Sequence, residues 1–400
     1  MVPLEAKIEP TLTAPTDTLR ERFRRLREKE FPWTAETTYL NNASIGPIPE
    51  RTRRCIDAFT AKRTAPYLLP DSDLQQILRD ARSVAARLLG ARPSEIGLAT
   101  NTSYGIQLAA RALPLRMGDV VLVPDREFPA NVYPWLMLRD KGVQVELAPN
   151  TAEGWPDEEL LLERLEDPRV RVLAISFVQF SNGYRADLGR LSAACRDNDV
   201  FFVVDAIQGM GQVPLDVSKV RIDVLACGGQ KWLLSPWGAG FVYVRQDLLE
   251  VIEPAVCGWM AFQGTDDFTR LTDYNPEFHP DGRRLEMVTL PFQDMAGMIE
   301  SLTMLLELGV ADIASYTRML REPLVRRAGL GEFTITSPVS PEHDSAIVCV
   351  APKEPAEAFH QLKRANVVCS LREGAIRLSP HCYNTLQEME RVGAILAGDA

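Results

Sequence analysis

The chain is poor in the residues that would mark several protein classes. Its four histidines, His279, His343, His360 and His381, lie far apart with no His-Glu-x-x-His pairing, so a metal hydrolase has no ligand set to build on. Seven cysteines (Cys55, Cys195, Cys227, Cys257, Cys349, Cys369 and Cys382) are dispersed, odd in number and never spaced Cys-x-x-Cys. That excludes a disulfide framework and a structural zinc, and suits reduced thiols. No apolar run approaches a membrane span, and the opening MVPLEAKIEPTLTAP lacks the apolar stretch of a signal peptide. A cytoplasmic protein is expected. Basic charge is also short: 44 Lys plus Arg against 54 Asp plus Glu leave a net charge of −10, scattered along the chain, whereas a nucleic-acid binder needs a basic patch. There is no Gly-x4-Gly-Lys-Ser/Thr loop, and Gly209-Met210-Gly211 lacks the third glycine of a dinucleotide fingerprint, so ATP and nicotinamide readings lose support.

What the chain does have is core. With 400 residues, 46% of them hydrophobic and 24% charged, it can build one or two sizeable α/β domains. After a Pro- and Thr-rich arm, Thr18 to Lys29 has helical spacing, and PWTAETTYLNNASIGPIP reads as a strand followed by a turn. From about Arg53 to Leu290, amphipathic helices alternate with the apolar runs DVVLVP, RVLAISF, VFFVVD and GFVYV. This pattern predicts βα units and a mostly parallel sheet. Beyond Pro291 a long helix leads into FTITSP, AIVCVA, VVCSL and AIRLSP, which predict a smaller α+β domain. The expected division is an arm and helix at 1–36, a large domain at 37–290 and a small domain at 291–400.

Three stretches can carry chemistry. FFVVDAIQ, Phe201 to Gln208, ends an apolar strand in Asp205, which puts a carboxylate at the sheet edge where open α/β folds bind ligands. Twenty-six residues on, Lys231 stands among small and apolar neighbours in GGQKWLLSPWG, where desolvation lowers an amine's pKa and suits it to imine chemistry. In ATNTSYGIQLAARAL, Asn101, Thr102, Ser103 and Gly105 introduce an amphipathic helix, and hydroxyls at a helix start make a phosphate site. Each has a plain alternative: a helix cap for Asp205, a snorkelling lysine, an ordinary N-cap. Together, in this order, they match what pyridoxal 5'-phosphate (PLP) requires: a phosphate cradle, a partner for the pyridine nitrogen and an amine.

On these motifs the chain resembles the class V aminotransferase-like enzymes of PLP fold type I, a group that includes cysteine desulfurases, isopenicillin N epimerase-like proteins and kynureninase. The resemblance runs from about Thr38 to Leu396 and implies a large domain with a mostly parallel, seven-stranded sheet and a smaller C-terminal α+β domain. YLNNASIGPIP resembles the opening strand and turn, with Asn42 and Ala43 on the substrate side. EFPANVYPW resembles the segment whose ring stacks on the cofactor, implying Phe128. DAIQ implies that Asp205 pairs with the pyridine nitrogen and Gln208 reaches the phenolic oxygen. GGQKWLLSPWG resembles the lysine motif, with Lys231 holding PLP and Gln230 beside it. Thr102 and Ser103 take the phosphate. RRLEMVTLPF resembles the segment whose Thr, here Thr289, reaches the neighbouring subunit's cofactor, implying a homodimer. REGAIRLSPHCYNT resembles the motif whose Arg, here Arg377, holds the substrate carboxylate.

The chain departs from that pattern in places. Gly228, Gly229 and Gln230 precede the lysine where relatives often carry Ser and His, so part of the phosphate contact set must be replaced. Only Glu373, Gly374 and Ala375 separate Arg372 from Ile376, leaving no room for the long loop that carries a desulfurase's cysteine. The neighbours His381 and Cys382 point to opposite faces of an extended segment and are expected to be structural. Trp232, Trp237, Trp259 and Phe262 are candidates for a substrate pocket or for core. The expected activity is C–S β-elimination on a cysteine-derived amino acid. Epimerisation, aminotransfer and decarboxylation-coupled deamination of a cysteine conjugate are alternatives, and a non-catalytic scaffold is the alternative of another class.

Overall fold

A computed structural model describes residues 16–252, 254, 256–287 and 289–399. β1 (Thr38–Tyr39) comes first in the chain. The next seven strands are β2 (Ile96–Ala99), β3 (Val120–Pro124), β4 (Gln144–Ala148), β5 (Val170–Ser176), β6 (Phe201–Asp205), β7 (Val224–Gly228) and β8 (Gly240–Val244). They form one sheet in the order β2-β8-β7-β6-β5-β3-β4. Pairing is parallel from β4 through β7, and β8 runs antiparallel to both β7 and β2. Strands buried on both faces must be apolar throughout. That is why Val, Leu, Ile, Ala and Phe dominate these runs, and the expected mostly parallel sheet of seven strands is present.

A second sheet is built from β9 (Thr334–Ile335), β10 (Val348–Ala351), β12 (Ser370–Arg372) and β13 (Ala375–Leu378), in the order β12-β13-β10-β9. Between them in sequence, β11 (Val367–Val368) leaves this sheet and pairs in parallel with β1, Thr38 opposite Val367. An isolated bridge from Asn41 to Ser379 extends the junction. Packing therefore crosses the boundary expected at 290/291 from both sides. The N-terminal strand sits with the C-terminal unit, while the helix Phe292–Leu308 packs on the helices Glu50–Arg63 and Asp71–Leu89 beside the large sheet. Among the described residues no helix is long and apolar enough to cross a membrane.

Two local features aim the site. After β7 the chain turns at Gly229 and Gln230 into Lys231, and Leu234 then adopts a left-handed conformation (φ 52°), uncommon for a branched residue and held here by burial. The Asn41–Gly46 turn packs on that loop: Gly46 N–H donates to the Gln230 carbonyl at 2.8 Å, and a Cβ at Gly46 would stand 2.0 Å from the Lys231 carbonyl oxygen. Only glycine permits the contact.

Candidate active site

Parallel strands end together, so their last residues share one edge. Ser176 of β5 lies opposite Asp205 of β6, and Asp205 opposite Ala226 of β7. Asp205 is 2% exposed; its Oδ1 accepts the Ile207 N–H at 3.0 Å, and among the described residues its other oxygen has no hydrogen-bond partner. Burial pushes its pKa up to about 7; the Ile207 N–H and Lys231 pull down and the nearby Glu127 adds to the rise. Burial likewise lowers the Lys231 amine to about 8, with Asp205 opposing the drop and the Arg377 guanidinium adding to it. The Lys231 Nζ stands 5.5 Å from the centre of the Phe128 ring, and Phe128, 43% exposed, meets Phe180 edge-on at 5.2 Å.

Below Lys231 the helix Thr102–Ala112 begins at this edge. Its N-cap is Asn101, whose side chain accepts the Tyr104 N–H, so the plain N-cap reading holds for that residue. The buried Thr102 does something else: its hydroxyl oxygen accepts the Gly228 N–H at 2.9 Å, which leaves the hydroxyl proton to be donated. Ser103 is exposed beside it. The Gln230 side chain reaches back over Gly228; a Cβ there would meet Gln230 Oε1 at 2.6 Å and Thr102 Oγ1 at 3.3 Å. The carboxamide thus fills the space that a side chain at 228 would take.

The opposite wall comes from both chain ends. Arg377, 2% exposed on β13, donates to the Phe180 carbonyl at 2.6 Å and to Ser44 Oγ at 2.7 Å, while its buried Nε has no partner among the described residues. Among the described residues no carboxylate pairs with it, and burial lowers its pKa to about 10. A buried cation with only neutral acceptors is positioned to take an anion. Asn42 accepts from the Tyr383 hydroxyl at 2.8 Å, and its buried amide nitrogen has no partner among the described residues.

The model of the aminotransferase class-V family matches residues 69–392. The chain belongs to that family. It is similar to an uncharacterized aminotransferase, YcbU, of Bacillus subtilis (26% identity, 93% of this chain, 95% of the relative). It is also similar to a probable cysteine desulfurase of Methanothermobacter thermautotrophicus (26% identity, 92% and 96%). Among solved structures, the apo cysteine desulfurase of Thermococcus onnurineus NA1 superposes with a TM-score of 0.83 (20% identity, 98% and 99% coverage). So does C-DES, solved as a lysine-to-alanine mutant with glycine covalently linked to its PLP cofactor (TM-score 0.83, 22% identity, 93% and 98%). These two likenesses establish the fold, which is PLP fold type I, and the class-V family is one of PLP-dependent enzymes.

The residues of this class-V chain fit that cofactor. Among the described residues several polar groups along this edge and its opposite wall have no protein partner: the second Asp205 oxygen, the Thr102 hydroxyl proton and the buried Asn42 and Arg377 nitrogens, with Asp205 and Arg377 both near enough to the Lys231 amine to shift it. Other residues sit differently from expectation. Gln208 is nearly consumed, since its Oε1 accepts the Trp232 indole N–H at 2.7 Å and its Nε2 donates to the Ala43 carbonyl at 3.0 Å. An indole can only donate, so the amide orientation is fixed and one N–H remains for a ligand oxygen. Ala43 also donates its N–H to Ser379 Oγ, so both of its backbone groups are engaged, the carbonyl in holding Gln208. Thr289 is exposed and makes no hydrogen bond to the other site residues. His381 and Cys382 are buried: Cys382 N–H donates to His381 Nδ1, so Nε2 carries the proton toward the Trp232 carbonyl, and burial lowers the imidazole to about 4. The four aromatics do not form one patch. Trp232 is core, Trp237 is 69% exposed, and Trp259 and Phe262 line a separate cavity of about 780 Å³ with Leu271 and Tyr274. Sequence reasoning missed Ser44 and Glu127, which lie inside motifs it had quoted, and Phe180, three residues beyond the apolar run RVLAISF.

Proposed function

We propose that this class-V enzyme binds PLP at Lys231 and cleaves the C–S bond of a cysteine-derived α-amino acid by β-elimination. The observation that carries the substrate class is Arg377, a buried guanidinium without a carboxylate, close enough to Lys231 to lower its pKa. Planar two-pronged contact with an α-carboxylate would satisfy it and fix the orientation of the bonds at Cα. When bound, PLP supplies an electron sink for the electrons left at Cα. Asp205 offers its free oxygen to hold a proton on the pyridine nitrogen. Thr102, with Ser103 and the Gln230 carboxamide, takes the phosphate at the helix start. Phe128, beside the Lys231 amine, would pack against the cofactor's ring, and Gln208 would give its remaining N–H to the phenolic oxygen. Lys231, with a pKa near 8, exchanges protons at Cα close to neutral pH.

Elimination is favoured over sulfur transfer by the state of the thiols. A desulfurase needs an available thiolate. Burial raises the pKa of all seven cysteines, and those nearest the site are committed: Cys349 donates to the Ser181 carbonyl and Cys227 lies beneath Asp205 and Lys231. The turn Glu373-Gly374 that joins β12 to β13 carries no cysteine. Loss of a leaving thiolate needs only Cα deprotonation. Thr289, exposed on its own protomer, is read as the residue that a second copy contributes, which makes the working unit a homodimer.

Borohydride reduction of cofactor-loaded protein followed by peptide mapping is expected to place the pyridoxyl group on Lys231. S-substituted cysteines are expected to yield an intact thiol, pyruvate and ammonia, with turnover unchanged in Cys382→Ser. A label on another lysine overturns the site, and an enzyme persulfide that disappears with Cys382→Ser overturns the lyase reading. Racemised substrate, or a keto acid retaining its sulfur, would put epimerisation or aminotransfer in its place.

A further inference from the structure

Directly before Phe128, at the turn that leaves β3, the chain holds a second buried carboxylate that the mechanism above does not use. Arg126 adopts a left-handed conformation (φ 61°), which turns Glu127 inward while Phe128 faces Lys231. Glu127 is 5% exposed. Four donors surround it: the Ser176 N–H at 2.7 Å and the Gln179 amide on Oε1, and the Ser176 hydroxyl and the Asn131 amide, at 3.2 Å, on Oε2. Among the described residues no lysine or arginine pairs with it, and burial raises its pKa against the pull of those four donors.

We propose that Glu127 is a positioning residue for the site, a single buried acceptor that ties the Phe128 ring, the Phe180 carbonyl that receives Arg377, and the strand-end Asp205 into one fixed geometry. This rests on the reading of the site given above. The three arms are visible in the contacts. Asn131 ends the short 3-10 turn Pro129–Asn131 that Phe128 caps, so Glu127 and Asn131 clamp Phe128 from both sides. Gln179 immediately precedes Phe180, whose carbonyl accepts from Arg377 and whose ring abuts Phe128. Ser176 lies opposite Asp205 in the sheet, and the Asp205 carbonyl accepts the Phe177 N–H at 2.8 Å. Whichever way an amide were placed at 127, its NH2 would face two of the four donors, so glutamine keeps the shape and breaks the node. The negative charge also faces Asp205 and raises its proton affinity, which strengthens its hold on a pyridine-nitrogen proton.

The test uses the cofactor-loaded enzyme and two readouts beside turnover: the circular dichroism of the bound cofactor's visible band, which reports how the ring is held, and the affinity of cofactor-free protein for PLP. Glu127→Gln is expected to reduce the dichroic band by about half or more, weaken PLP binding about tenfold and lower kcat roughly hundredfold, the scale expected when reacting groups shift by about 1 Å. The single-arm variants separate the roles. Asn131→Ala is expected to diminish the dichroic band with KM nearly unchanged, and Gln179→Ala to raise KM roughly tenfold through a displaced Arg377, with the band nearly unchanged. If Glu127→Gln loads cofactor and keeps the wild-type band, affinity and kcat, the proposal is wrong. Should that variant not fold, the arm variants decide: opposite patterns uphold the proposal, and a loss of thermal stability alone in both overturns it. A wild-type protein that fails to load PLP overturns the earlier reading and this one with it, whereas a loaded wild type with unaffected variants overturns this one alone.

Discussion

Replacing Arg377 by methionine sets stability against activity. In the free protein the guanidinium carries a desolvation cost that no carboxylate among the described residues offsets: its pKa falls from 12.5 to about 10 on burial, which corresponds to about 3 kcal/mol against the charged form. Methionine keeps much of the volume and removes the charge. It also removes the donors to the Phe180 carbonyl and Ser44 Oγ, and leaving a part-buried carbonyl unpaired costs up to about 1–3 kcal/mol. The two effects nearly cancel, so Arg377→Met is expected to be as stable as wild type or slightly more so in urea denaturation. Activity goes the other way. Two charge-assisted bonds to a carboxylate are worth about 1.5–3 kcal/mol each, so kcat/KM for an amino acid is expected to fall roughly 10²- to 10⁴-fold. Binding of the corresponding amine without a carboxylate, followed by the cofactor's absorbance, is expected to be unaffected. A variant that loses more than about 2 kcal/mol of stability yet keeps kcat/KM within about threefold would show that Arg377 is only a structural tie between β13 and the Phe180 segment.

Two further outcomes follow from the same site. A carboxyl whose pKa rises on folding destabilises the fold as pH climbs past its unfolded value, and the cost is complete above its folded value. For Asp205, raised from 3.8 to about 7, the window runs from about pH 4 to 7 and the cost reaches roughly 4 kcal/mol. Cofactor-free Asp205→Asn is therefore expected to be more stable than wild type at pH 8, with the gain vanishing near pH 4, and the loaded variant to retain PLP with turnover slowed about a hundredfold or more. An equal stability difference at both pH values, or undiminished turnover, contradicts this account. Analytical ultracentrifugation is expected to find a dimer that loses PLP affinity in Thr289→Ala, and a fully active monomer would remove Thr289 from the site.

The sheet was legible in the sequence because burial on both faces leaves continuous apolar runs. Asp205, Lys231 and Thr102 were legible because each sits where a strand or helix must begin or end. The roles of Gln208, Ala43 and Glu127 were not. Their partners, Trp232, Ser379, Ser176 and Gln179, lie 24 to 336 residues away, and a hydrogen bond across such a distance imposes no periodicity. Trp232 and Trp237 show the same limit at short range. They stand five residues apart, yet the left-handed turn at Leu234 separates them, so one becomes core and the other solvent-facing. The boundary expected at 291 rested on the alternation of helices and apolar runs along the chain, which does not record that β1 pairs with β11.

That pairing sets an order of assembly. The groups read as cofactor-holding within one protomer, Thr102, Phe128, Asp205, Gln208 and Lys231, all come from the stretch of chain that builds the large sheet. Ser44, Asn42 and Arg377 are brought together only when Thr38 and Tyr39 meet Val367 and Val368, across more than three hundred residues. Distant closures of this kind are slow, and during synthesis they must wait for the later partner to emerge. The carboxylate-facing wall is therefore the last part of the site to form, so a growing or refolding chain acquires the means to hold its cofactor before it acquires the means to orient a substrate against it.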